Sequence, residues 1–121
     1  MRLRLLATGA AIACALAGCG SNLSLSHSET PCITPGQVVT LNTQTAAGSQ
    51  LSYDVQDDFG GEVGSKIAPV TTDSSGKATV TWQSPSRLST TTLHFLLTAK
   101  NGDSRTNRDI HVVVGGNGRS C

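Results

Sequence analysis

Two histidines are the residues of this sequence best suited to hold a metal ion. His94 and His111 lie at outward-facing positions of two late segments in which apolar and polar residues alternate. If a four-residue loop at 101–104 joins these segments as neighbouring strands, the two imidazoles stand opposite each other and can hold zinc or respond to pH. A register shifted by one step also keeps the apolar residues inward, and it separates the imidazoles. The sequence shows no third ligand, so we assign no metal and keep the pair as a candidate.

Four acidic residues within nine positions are a second group with metal chemistry. They surround Phe59 and are Asp54, Asp57, Asp58 and Glu62. Calcium takes six to eight oxygen ligands, and a loop of this composition can supply several of them. The regular Asp-x-Asp-x-Asp-Gly spacing is missing, however, and carboxylates also solvate the ends of hairpins. Asp57 and Asp58 are therefore kept only as candidates.

The spacing of reactive residues does not indicate an enzyme. The sequence has no Cys-x-x-Cys pair, no glycine loop of the phosphate-binding kind and no nucleophile elbow. A Ser-His-Asp triad would have no local signature here. Tyr53 and Trp82 could stack on sugar rings, but both occur at positions whose alternation predicts burial. We predict a non-catalytic protein without a cofactor.

The first eighteen residues have the features of a secretory signal. Arg2 and Arg4 form a cationic head, and the apolar run of about a dozen residues behind them is shorter than the roughly 20 that span a membrane. The segment ends in LAGC, which resembles a bacterial lipobox. The resemblance implies cleavage before Cys19, lipid on its thiol, and an anchor that several acyl chains make permanent. The alternatives are an ordinary signal peptide in which Cys19 has no role, and an uncleaved buried helix.

A polar stretch at 19–31 follows the lipobox and is predicted to be a tether. As coil, its last twelve residues reach at most ~40 Å. Leu23 and Leu25 alternate with serines, so a first edge strand is the alternative for part of it. The residue after the cysteine is Gly20 and not the aspartate that retains lipoproteins in the inner membrane of many Gram-negative bacteria. That resemblance favours the outer membrane.

Composition argues against nucleic acid as a partner. The nine Lys and Arg residues fall to seven when Arg2 and Arg4 leave with the signal, against eight Asp and Glu, so the net charge changes from +1 to about −1. Such a surface has no general attraction for polyanions or anionic lipid. The length of 121 residues fits one domain.

From residue 36 onward the sequence predicts short β-strands. Apolar residues alternate with polar ones, and Gly, Asn, Asp and Pro interrupt the pattern at short intervals. The predicted strands are 37–45, 51–55, a short one within 67–72, 78–82, 93–98 and 110–114. This count and spacing predict an all-β domain at 32–121, an antiparallel β-sandwich of six to seven strands.

The order of four segments resembles a PKD-type or related bacterial immunoglobulin-like domain. The segments are PGQVVTL, LSYDV, KATVTWQSPS and LHFLLTAKNGDSRTNRDIHVVV, and the match covers 35–114. Val55 stands where such domains commonly have tryptophan. The resemblance implies an immunoglobulin-like fold and an extracytoplasmic recognition or spacer module, usually without catalysis.

Two cysteines remain once Cys14 leaves with the signal and Cys19 carries lipid. Cys32 and Cys121 would face an oxidising compartment, where two thiols usually pair. In an immunoglobulin-type sandwich the first strand can run parallel to the last, which brings their ends together. An internal disulfide is the prediction. A disulfide to a partner and free thiols are the alternatives.

These observations predict a lipid-anchored recognition or scaffold module of the cell envelope. Its partners would be the membrane, through Cys19, and an envelope protein. The alternatives are a carbohydrate or peptidoglycan binder, which requires exposed aromatic side chains, and a small structural component of an envelope assembly such as a secretion or pilus machine.

Overall fold

Alternating burial along the strands builds two β-sheets that share one core. The computed structural model describes residues 23–116 and Cys121. Its strands are β1 Ser26–Glu29, β2 Cys32–Ile33, β3 Val38–Gln44, β4 Gln50–Gln56, β5 Val70–Thr71, β6 Lys77–Gln83, β7 Thr92–Asn101 and β8 Ser104–Val114. One sheet has the order β1-β3-β6 and the other β2-β8-β7-β4-β5. All pairs are antiparallel except β2 with β8. The predicted all-β sandwich is confirmed, with eight strands instead of six or seven.

Aromatic residues from both sheets meet in the core. Phe95 is fully buried and packs edge-to-face against Trp82, with ring centroids 5.4 Å apart. The hydroxyl group of Tyr53 lies 2.8 Å from that of Thr43 and so bonds one sheet to the other inside the core. Burial raises the pKa of Tyr53, and the hydrogen bond with Thr43 opposes that effect in part. Each fully buried large apolar side chain contributes roughly 1.5–3 kcal/mol to folding.

The amino-terminal residues of the described chain belong to the sandwich. β1 pairs with β3 in the smaller sheet, and the chain then crosses to the larger sheet, where β2 pairs with β8. Leu23 and Leu25 pack against the core, and the hydroxyl of Thr106 donates to the carbonyl of Leu23. The sequence placed the boundary between tether and domain after residue 31. From Leu23 onward, however, this stretch contributes to the sandwich as the edge-strand alternative predicts, because Leu23 and Leu25 bury apolar surface and β1 pairs along β3.

The sandwich has two ends, which are distinguished by their distance from Leu23. The near end holds Leu23, the loop at 45–49 and the β7–β8 turn, since the hydroxyls of Thr45 and Thr106 donate to the carbonyls of Ser24 and Leu23. The far end holds the loop at 57–63, the start of β7 and the end of β8, because Gln56, His94 and His111 are aligned across the larger sheet. The two ends thus present different loops in opposite directions.

The predicted signal peptide at 1–18 and the lipidated Cys19 lie outside the described residues. Within residues 23–116, no helix is long and apolar enough to cross a membrane.

The turn between β5 and β6 is closed by a carboxylate. Oδ1 of Asp73 accepts hydrogen bonds from the backbone N–H groups of Ser75, at 2.8 Å, and Lys77, at 2.9 Å. These bonds, that of Lys77 first, lower the pKa of Asp73. A carboxylate whose pKa is lower in the folded state stabilises the fold above its unfolded pKa of about 4, and this stabilisation is lost as the pH falls through the folded value.

We therefore expect the free energy of unfolding of Asp73→Asn to depend less on pH in the acidic range than that of the wild type. The amide oxygen can still accept both hydrogen bonds but does not titrate, so between about pH 6 and about pH 3 the variant should lose less free energy of unfolding than the wild type. Urea unfolding at both pH values measures this. The control is Asp103→Asn in the β7–β8 turn, whose carboxylate accepts no hydrogen bond within the described chain. Parallel profiles for wild type and Asp73→Asn would contradict the assignment.

Candidate functional site

Strand register brings the two candidate histidines together. His94 on β7 is the direct partner of His111 on β8, and the pairing closes at Asn101 opposite Ser104, as the four-residue loop requires. The ring centroids are 4.6 Å apart, with the rings inclined by 70°. The shifted register, in which the imidazoles would separate, is not formed.

A third possible ligand, missed from the sequence, lies beside the histidine pair. Asp109 is two residues before His111 and therefore on the same face of β8. Its Oδ1 lies 3.2 Å from Nδ1 of His94, and its Oδ2 lies 3.3 Å from Nε2 of His111. One donor atom from each of the three residues lies within 4.8 Å of the others. The Asp-x-His alternation at 109–111 was the available signal.

Asp58 faces the opposite side of the His94 ring. Its Oδ1 is 3.3 Å from Nε2 of His94, while its Oδ2 accepts hydrogen bonds from the hydroxyls of Thr90 and Thr91, at 2.8 and 2.9 Å. The hydrogen bond from Thr90, followed by that from Thr91, lowers the pKa of Asp58. Its carboxylate is thus ionised and fixed in place by residues at the start of β7.

Both nitrogens of the His94 ring face a carboxylate. Desolvation lowers the pKa of His94, but the hydrogen bonds with Asp58 and Asp109 together outweigh it and raise the pKa above 6.5. In the protonated ring both nitrogens donate, one to each carboxylate.

The acidic group around Phe59 is divided among separate local partners. Asp57 closes its own loop, because its Oδ1 accepts from the backbone N–H groups of Phe59 and Gly61. Asp58 turns toward β7. Asp54 and Glu62 contact side chains of Gln56 and Lys66. In the described chain, no three of these four carboxylates converge as metal ligands, so the calcium candidate has no support.

Phe59 projects from the far end with 95% of its surface exposed. The backbone below it is fixed by hydrogen bonds from Asp57 N to Gly61 O, at 2.9 Å, and from Gly60 N to Asp57 O, at 3.2 Å, besides those that the Asp57 side chain accepts. From the sequence, only the acidic residues around Phe59 were considered as a site. A phenylalanine flanked by Asp-Asp and Gly-Gly was the available sign of a loop tip.

The two aromatic residues considered for sugar stacking are buried. Trp82 is 2% exposed, and its Nε1 donates to the carbonyl of Ser65 at 2.9 Å. Tyr53 is 6% exposed. Neither ring presents a face to solvent, so the carbohydrate-binding hypothesis loses its main support.

Cys32 and Cys121 are joined in a disulfide, with their Cα atoms 5.4 Å apart. Cys32 reaches this position because β2 runs parallel to the end of β8. His27 and Glu29 on β1 form a separate exposed pair, with Nδ1 2.7 Å from Oε1.

Comparison with known proteins identifies the fold. Neither a protein-family model nor a curated protein sequence matches the chain. Among solved structures, the chain is similar to the sulfur carrier protein SoxY from Chlorobium limicola f thiosulfatophilum, with a TM-score of 0.54 and 12% sequence identity over 79% of this chain and 83% of that one. At this identity the likeness concerns the fold alone, and the chain is an immunoglobulin-like β-sandwich.

Proposed function

We propose that this chain is a lipid-anchored, non-catalytic recognition module of the bacterial cell envelope. In this proposal, lipid on Cys19 holds it in a membrane, with the outer membrane favoured, and its far end contacts another envelope protein. The lipobox and the resemblance to PKD-type and related bacterial immunoglobulin-like domains support the anchor and the location. The observation that carries the protein contact is Phe59.

An aromatic ring that is exposed to water is energetically unfavourable, and a partner that buried the ring would remove this penalty. Phe95 is fully buried, whereas Phe59 is 95% exposed on a loop whose backbone and Asp57 side chain are hydrogen-bonded together. The exposed ring leaves apolar area in water that burial would remove. Because the loop is already ordered, docking on it would cost little conformational entropy. Phenylalanine, like tyrosine and tryptophan, is enriched in protein interfaces.

The position of Leu23 gives the module an orientation relative to the proposed anchor. Leu23 is four residues after Cys19 and lies at the near end. Four residues span at most ~14 Å. A lipid on Cys19 would therefore keep the near end at the bilayer, and Phe59 at the far end would point away from it toward other envelope components.

A sulfur-carrier function like that of the solved neighbour is not part of the proposal. A thiol that carries sulfur must be free. Within the described residues the cysteines are Cys32 and Cys121, whose sulfur atoms are bonded to each other, and the proposal places lipid on Cys19.

Site-specific photocrosslinking in cells tests the proposal. With p-benzoylphenylalanine in place of Phe59, we expect one discrete protein adduct in the membrane fraction, because the probe would sit at the docking anchor. The matched control carries the same probe in place of Asp103, an exposed turn residue at the near end, and should not give that adduct.

A second control separates the anchor from the contact. Cys19→Ser should move the protein out of the membrane fraction and reduce the adduct, since the module would no longer be held beside its partner. Equal adducts from positions 59 and 103, or none from either, would count against a protein contact at the far end. Membrane retention of Cys19→Ser would count against the lipid anchor.

A further inference from the structure

We propose that His94, His111 and Asp109 form a binding site for a divalent transition-metal ion of the zinc class on the exposed face of the larger sheet. The proposal does not depend on the lipid anchor or on the contact through Phe59.

The donor atoms already have nearly the spacing of ligands around zinc. Tetrahedral zinc with bonds of about 2.0–2.1 Å places neighbouring donors roughly 3.3 Å apart. A single oxygen of Asp109, Oδ2, lies 3.4 Å from Nδ1 of His94 and 3.3 Å from Nε2 of His111. The largest separation in the group is at most 4.8 Å. A small rotation of His111, whose side chain is 57% exposed, closes it.

Asp58 supplies the outer support that such a site needs. When Nδ1 of His94 binds the ion, Nε2 carries the proton and donates to Asp58, 3.3 Å away. This carboxylate–histidine–metal arrangement fixes the ring and its tautomer. Asp58 is itself held by hydrogen bonds from Thr90 and Thr91, so its position does not depend on the ion.

The charge and ligand types favour a zinc-class cation. Two imidazoles and one carboxylate suit zinc, copper and nickel better than the all-oxygen ligand sets of calcium and magnesium. Within the described chain, no Lys or Arg pairs with Asp58 or Asp109, so neither carboxylate is neutralised by a permanent cation. Three protein ligands leave the fourth position open to solvent, as in zinc sites that exchange or share a ligand.

Calorimetric titration of the purified full-length protein with ZnCl₂ tests the site. We expect saturable binding of one Zn²⁺ per chain, reversed by EDTA. His111→Ala and Asp109→Asn should each weaken it at least tenfold, because each removes one of three ligands. Asp58→Asn should weaken it about 10- to 100-fold, because it removes the negative charge of the outer carboxylate without touching the ion.

The third histidine of the chain provides the matched control. His27 is on β1 in the other sheet, paired with Glu29, and His27→Ala should bind Zn²⁺ as the wild type does. The metal-free His111→Ala and Asp109→Asn variants should melt close to the wild-type temperature, because these side chains are 57% and 49% exposed. Imidazole NMR signals of His94 and His111, and not of His27, should shift on zinc addition. The site is overturned if the wild type does not saturate, if His27→Ala loses as much as His111→Ala, or if His111→Ala and Asp109→Asn bind normally.

Discussion

Replacing Cys121 with serine is expected to lower the free energy of unfolding by about 4–5 kcal/mol. The disulfide joins positions separated by 89 residues and so closes nearly the whole sandwich into one loop. In the chain-entropy model, a cross-link of this span removes much of the freedom of the unfolded chain. On the folded side, Cys32 is already positioned by the parallel pairing of β2 with β8, where Gly115 N donates to Ile33 O at 2.7 Å. Urea unfolding without reductant measures the loss.

Cys32→Ser and the double variant are the controls for this prediction. Either single substitution removes the same bond, so both singles and the double variant should lose similar free energy, and reductant should bring the wild type to the same level. Additive losses in the double variant would show that each cysteine acts separately. A loss under about 1 kcal/mol would contradict a stabilising role for the bond.

The fold could be predicted because the alternation of apolar and polar residues along each strand is visible in the local sequence. Along β7 the buried residues Leu93, Phe95, Leu97 and Ala99 alternate with less buried ones, and the same period of two runs through β3, β4 and β6. The ends of these strands fall within a few residues of the predicted ones because Gly, Pro and Asx residues interrupt the pattern. β1 was harder to predict because an edge strand buries little, and its residues read as a polar tether.

The candidate site was predictable only in part, because its assembly depends on pairing between strands. Two registers of β7 against β8 satisfied the inward Phe95 and Ile110 equally, and the tight turn at 101–104 selects the one that pairs His94 with His111. Asp58 is 36 residues before His94 in the chain and reaches it only because β4 ends beside the start of β7. No pattern within a short stretch of sequence predicts a contact between residues so far apart in the chain.

The second large effect is expected from Gly76→Ala, in the turn between β5 and β6. Gly76 has a φ of +79°, and a methyl group there would overlap the carbonyl oxygen of Thr45. The backbone at Thr45 is held in place next to Gly76, because the N–H of Thr45 donates to the carbonyl of Gly76 at 2.8 Å. This hydrogen bond continues the pairing of β3 with β6. We expect a loss of about 3 kcal/mol or more in the free energy of unfolding, because backbone strain and a steric clash add.

Gly102→Ala separates these two contributions. Gly102 also has a positive φ, of +61°, but nothing lies within 4 Å of the position that its Cβ would take. Its substitution should therefore cost only the left-handed conformation of alanine, about 1–2 kcal/mol. Urea unfolding measures both losses in free energy, and the loss of Gly76→Ala minus that of Gly102→Ala gives the contribution of the steric clash. Equal losses would mean that the Thr45 carbonyl moves aside at little cost, and that the end of the β3–β6 pairing is softer than its hydrogen bonds indicate.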